Sequence, residues 1–142
     1  MIDEPASSLT AAAEVSPAYA LIVDDDSDMV LMLSEFVQGC GLISAGAQSF
    51  AQFQKIAQVL PCVLLLDLVM PDDCSEDVVA WMAEHAAHVP IVLVSSLALD
   101  AIERRRDHAV ALGLQVPAML RKPFWPHDVA KALQIAGVHD KR

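Results

Sequence analysis

A chain of 142 residues, 55% of them hydrophobic, is the size of one domain and can bury roughly two-thirds of its unfolded surface. No apolar run reaches the roughly 18 residues of a membrane span, and a formal net charge of -10 opposes phosphate backbones and anionic membranes, so direct nucleic-acid binding is not expected. Cys40, Cys62 and Cys74 are odd in number and lack metal-ligand spacing, which reads as buried thiols in a reducing compartment. The acidic start, Met1-Ile-Asp-Glu-Pro, has neither a basic region nor an apolar one behind it, so no signal peptide is expected and a cytoplasmic location is.

Residues 1–17 show neither helical nor strand periodicity and are expected to form a flexible tail, leaving 18–142 for the fold. Tyr19-Ala-Leu-Ile-Val23 reads as a short strand that runs into three acids, Asp24, Asp25 and Asp26. Ser27 or Asp28 is the expected cap of a helix carrying Met29, Val30, Leu33, Phe36 and Val37 on one face, stopped by Gly39 to Gly41. Leu42 to Ala45 is the next candidate strand. Ser49 with Gln52 makes a capping box, ahead of a helix whose inner face is Phe50, Phe53, Ala57 and Leu60. Pro61 ends it.

Val63-Leu-Leu-Leu-Asp67 is an unbroken apolar run closing on one carboxylate, the pattern of a strand buried on both faces of a parallel sheet. After Pro71, Val78, Val79, Met82 and Ala86 mark a helix that ends before Pro90. Pro90-Ile-Val-Leu-Val-Ser95 is a further apolar strand, closing on the hydroxyl pair Ser95 and Ser96, and a charged helix then runs to Leu112 with Gly113 behind it. Ala118-Met-Leu-Arg121 is the last strand, followed by Lys122-Pro123 and a helix from about Pro126 to Ala136. Strand and helix alternate five times, which predicts an α/β fold: a doubly wound parallel sheet with right-handed crossovers and helices on both faces.

In such a sheet the carboxyl ends of the strands converge on one edge, where open α/β folds do their chemistry. Asp24, Asp25, Asp67, Ser95 and Lys122 all fall there. Three carboxylates in one place repel one another unless a cation intervenes, and Mg²⁺, with its preference for oxygen ligands, suits them. With Lys122 and the metal neutralising charge, a carboxylate oxygen of Asp67 can attack a phosphoryl group to which Ser95 donates.

Val23-Asp-Asp, Asp67-Leu-Val-Met-Pro, a strand ending in Ser95 and Lys122-Pro-Phe together resemble the receiver domain of two-component response regulators, over about residues 18 to 137. The resemblance implies a flavodoxin-like five-stranded sheet in the order 2-1-3-4-5. It implies Asp67 as phosphoacceptor, Asp24, Asp25, Asp67 and the Val69 backbone carbonyl as Mg²⁺ ligands, Ser95 as the switch hydroxyl, Lys122 as the phosphate contact, and a cis bond before Pro123. It further implies a phosphohistidine donor (a histidine kinase or phosphotransfer protein), a downstream output protein or domain, and no catalysis beyond the chain's own phosphorylation and dephosphorylation. The sequence is silent on homodimerisation, for which the charged helix and its neighbours are the candidate surfaces.

Two positions and one segment depart from the pattern. Ser75 stands where the family often has glycine, Met119 where it has a switch aromatic, and the segment from Ser95 to Lys122 looks longer than usual. That segment, with Leu112-Gly-Leu, is more weakly similar to receivers joined to cyclic-diguanylate phosphodiesterase domains. Arg104 to Arg106, flanked by Glu103 and Asp107, read as a solvated helix face, His85 and His88 as exposed, and Trp81 and Trp125 as packing residues. A haloacid-dehalogenase phosphatase would need Asp-x-Asp, but Leu68 and Val69 follow Asp67. A serine hydrolase would need Gly-x-Ser-x-Gly around Ser95, and that is absent. A receiver-shaped interaction module that works without phosphorylation remains the rival.

Overall fold

The computed structural model describes residues 18–138. The expected N-terminal tail, 1–17, and the last four residues lie outside them. Five strands, β1 (Tyr19–Val23), β2 (Ile43–Ala47), β3 (Val63–Asp67), β4 (Ile91–Ser95) and β5 (Ala118–Arg121), alternate with helices α1 (Ser27–Gly39), α2 (Phe50–Ile56), α3 (Cys74–His85), α4 (Leu99–Ala111) and α5 (Pro126–Ile135). A single turn, Pro71–Asp73, precedes α3. All pairings are parallel and the sheet order is β2-β1-β3-β4-β5, the doubly wound arrangement expected.

Alternation along β3 divides the interior in two. Leu64 and Leu66 pack with Phe53 of α2, Val78 and Met82 of α3, and Ile102 and Ala109 of α4. Val63 and Leu65 pack on the opposite face with Leu33 and Val37 of α1 and Val129, Ala132 and Leu133 of α5. The sheet is thus covered by three helices on one side and two on the other. Burying each of these leucines contributes about 1.5–3 kcal/mol, and the central strands β3 and β4 are buried along their whole length.

Several boundaries differ from the expectation. The cap of α1 is Asp26: its backbone is extended, and its Oδ1 accepts from the Asp28 and Met29 amides at 2.9 and 3.4 Å, which places Ser27 already inside the helix. Strand β2 starts and ends later than Leu42 to Ala45 because it pairs with β1 through Val23↔Ala47. Gly46 allows α1 to approach it, since a Cβ there would lie 2.4 Å from Val30 Cγ1. Ser49 does cap α2, accepting from the Gln52 amide at 3.2 Å. The return bond, however, joins the Gln52 side chain to the Gln48 amide instead of Ser49's. Helix α2 ends at Ile56, so Leu60 falls beyond it and is exposed. The bond between Lys122 and Pro123 is cis, as expected. Cys74 is buried, whereas Cys40 and Cys62 are only half-buried. No helix among the described residues is long and apolar enough to cross a membrane.

Candidate functional site

Register builds the site before any side chain is considered. Val23 pairs with Leu66, so the next residues, Asp24 and Asp67, leave neighbouring strands side by side. Asp67 pairs with Val94, Ser95 with Arg121, and Ser95 and Lys122 follow at the same edge. The Lys122 amide donates to Ser95 O at 2.8 Å, the Leu68 amide to Val94 O at 3.1 Å and the Asp24 amide to Ala47 O at 3.1 Å. The backbone leaving each strand is therefore held by its neighbour.

Asp24, Asp25 and Asp67 each offer a carboxylate oxygen, all within 4.8 Å of one another. Asp24 and Asp67 are buried, and Asp25 is open to solvent. Lys122 Nζ reaches both buried acids, lying 3.2 Å from Asp24 Oδ2 and 3.5 Å from Asp67 Oδ1. Asp24 Oδ1 also accepts from the Asp26 amide at 2.9 Å, and Asp67 Oδ1 from the Val69 amide at 3.2 Å. Burial pushes the Asp67 carboxyl up to about 6, with Asp24 adding to the rise, while the Val69 amide and Lys122 oppose it. A single lysine shared between two buried acids leaves negative charge in excess. Three hard oxygen donors with one open side suit a hard divalent cation that keeps some of its water.

Ser95 is fully buried, and its Oγ accepts from the Leu97 amide at 3.0 Å, which leaves the hydroxyl hydrogen to donate elsewhere. Val69, expected as a carbonyl ligand, lies two residues after Asp67 and is 53% exposed.

The residues outside the main motif divide. Ser75 does not occupy a left-handed turn. It is buried in the first turn of α3, and left-handed backbone falls instead on Asp72 (φ 61) and Asp73 (φ 55). Met119 is half-buried against the three-helix core, paired with Leu93. His85 and His88 are exposed as expected. His85 stacks on Trp81 with 4.5 Å between centroids, and Trp81 packs edge-on against Phe53. Trp125 is not a packing residue, being 70% exposed. Nor are the three arginines uniformly solvated. Arg104 faces solvent and pairs with Asp100, but Arg105 reaches Ser75 and Leu68, and Arg106 Nε donates to Val116 O at 3.0 Å. Contacts spanning 30 and 37 residues leave no local signal in the sequence.

No protein-family model matches the chain. Solved structures superpose on it closely. Chemotaxis response regulator CheY4 of Vibrio cholerae has a TM-score of 0.72 at 23% identity, over 85% of this chain and 99% of that one. A response regulator receiver domain protein from Clostridium thermocellum has a TM-score of 0.71 at 20% identity, over 84% of this chain and 93% of its own. The fold is that of response-regulator receiver domains. Similar too is the BeF3-activated DrrB receiver domain, with a TM-score of 0.72 at 19% identity, over 85% of this chain and 98% of that one. Among curated sequences, protein-glutamate methylesterase/protein-glutamine glutaminase 5 of Myxococcus xanthus (strain DK1622) is 33% identical over 85 residues. The match takes in 58% of this chain and only 24% of the length of that relative. Asp24, Asp25 and Asp67 form an acidic pocket at the strand ends of that fold.

Proposed function

We propose that the chain is a response-regulator receiver: it accepts a phosphoryl group on Asp67 from a phosphohistidine of a histidine kinase or phosphotransfer protein and thereby alters its binding to an output partner. The observation that carries this reading is a buried Asp67 flanked by two further acids and by one lysine that also touches Asp24. An Asp67 oxygen forms the new O–P bond as the N–P bond of the donor breaks and the imidazole departs. Asp67 is mostly ionised above its pKa of about 6 and so is available as a nucleophile at neutral pH. Lys122 offers its charge to the incoming phosphoryl oxygens, and the Ser95 hydroxyl donates to one of them. Asp24, Asp25, Asp67 and the Val69 carbonyl would hold Mg²⁺, which when bound supplies positive charge against the equatorial oxygens.

The reading includes a cytoplasmic location, the compartment in which three free thiols stay reduced, a further partner that is either a downstream protein or a second copy of the chain, and no turnover of any other substrate. The methylesterase activity named for the Myxococcus relative is not carried over.

The test is intact-mass measurement after incubation with acetyl phosphate and Mg²⁺. We expect a gain of one phosphoryl group, absent in Asp67→Asn and absent when EDTA replaces the metal. No gain from acetyl phosphate or from phosphohistidine donors would refute the reading in favour of the interaction module.

A further inference from the structure

Helix α4 buries only Ile102 and Ala109 among its 13 residues, so apolar packing holds it lightly. Two arginines tie it down in different directions. Arg106 bonds to Val116 ahead of β5. Arg105, half-buried, reaches across to the first turn of α3 and to the loop that follows Asp67: Nη2 donates to Ser75 Oγ at 3.1 Å and lies 3.3 Å from Glu76 Oε2, and Nη1 lies 3.5 Å from Leu68 O. Because Ser75 Oγ accepts from Arg105, its own hydrogen is left for Leu68 O at 3.1 Å or Glu76 Oε1 at 3.3 Å, and the nearer of these is Leu68 O.

Leu68 O and the Val69 amide belong to one peptide group. That group is planar, so fixing its oxygen fixes the direction of its N–H. The Val69 N–H donates to Asp67 Oδ1 at 3.2 Å. A continuous path therefore runs from the Arg105 guanidinium, through Ser75 and one peptide plane, to the carboxylate of Asp67. We propose that Arg105 is a positioning residue: through Ser75 it sets the Leu68–Val69 peptide, aims the Asp67 carboxylate, and couples the position of α4 to the phosphoacceptor site. Ser75 is the intermediate in this path, which gives a physical role to the position that departs from the family pattern. Coupling of this kind is reciprocal, so a ligand that moves α4 changes phosphoryl uptake, and phosphorylation changes the hold on α4.

The proposal rests on the receiver reading for its consequence in phosphoryl transfer, though its geometry can be tested without that reading. In the full chain, amide exchange at Val69 is followed by NMR alongside Leu68, whose amide bonds to Val94 O and serves as an internal reference. Arg105→Gln and Ser75→Ala are each expected to speed Val69 exchange about tenfold, in keeping with the loss of a charge-assisted hydrogen bond, while Leu68 changes less than about twofold. The same variants should slow phosphorylation by acetyl phosphate about threefold or more, and the double variant no further than the more affected single. Glu76→Gln, which removes the ion pair but not the path, should behave as wild type. Should Arg105→Gln fail to fold, Ser75→Ala alone tests the path. Unchanged Val69 exchange in Ser75→Ala, or an equal effect of Glu76→Gln, would overturn the proposal. A wild-type chain that takes no phosphoryl group while Val69 exchange responds as expected would sink the receiver reading and leave the positioning path standing.

Discussion

Removing the charge from Asp67 should make the protein more stable. The folded environment holds this carboxyl at about 6 because it is buried beside Asp24, whereas in the unfolded chain it titrates near its usual value of about 3.9. With the folded pKa above the unfolded one, the group's contribution to stability is fully present below about pH 4 and is lost as pH rises through about 6. At pH 8 the difference amounts to roughly 3 kcal/mol of destabilisation, and at pH 5 to about half of that. Asp67→Asn keeps an oxygen to accept from the Val69 amide but carries no charge, so it should recover most of this at pH 8. For a domain of this size, that corresponds to a rise in melting temperature of about 10 °C. The measurement is thermal unfolding of wild type and Asp67→Asn by circular dichroism in EDTA, from pH 5 to pH 8. The variant's advantage should grow with pH. An Asp67→Asn protein no more stable than wild type at pH 8, or an advantage that does not change with pH, would refute the account of the site as a pocket that holds an ionised acid at a loss. Saturating Mg²⁺ should shrink the advantage, because a cation bound to the ionised wild-type site stabilises the folded state only.

Two further outcomes follow from the packing and from the mouth of the site. Gly46→Ala should destabilise the fold by about 1–3 kcal/mol, read from urea midpoints, since the new methyl would meet Val30 Cγ1 at 2.4 Å and α1 would have to shift; an unchanged midpoint would show that α1 yields freely. Val69, 53% exposed two residues after Asp67, offers attacking water no polar partner, so Val69→Asn should speed loss of the Asp67 phosphoryl group about tenfold after donor removal, and equal decay in both proteins would remove Val69 from that role.

The sheet was legible because β1, β3 and β4 are short apolar runs bounded by acids, prolines and hydroxyls, which leave periodicity little to confuse. The grouping of the candidate residues was legible for the same reason: parallel topology turns residues far apart in sequence, such as Asp24 and Lys122, into neighbours once each is known to follow a strand. Strand β2 was misplaced because Ile-Ser-Ala-Gly-Ala has weak strand character, and its limits come from pairing with β1. The cap of α1 went to Asp26 because an extended backbone, not side-chain type, decides among several candidate acids and serines. The reach of Arg105 was hidden because the expected solvated face follows from charge pattern alone, while its partners are supplied by the first turn of α3 and the loop before it. Trp125 was misjudged on its aromatic character, with no apolar period behind it.

Asp72 and Asp73 are consecutive and both left-handed. Most side chains with a Cβ resist that conformation, but the short polar side chain of Asp tolerates it better than most, so each residue raises the local energy by no more than about 1 kcal/mol. Together they compare with the few kcal/mol that commonly separate two conformers of one protein. On the receiver reading, a new charge arriving on Asp67 would act beside a segment, between Asp67 and α3, whose backbone is held in a sparsely populated conformation by its surroundings.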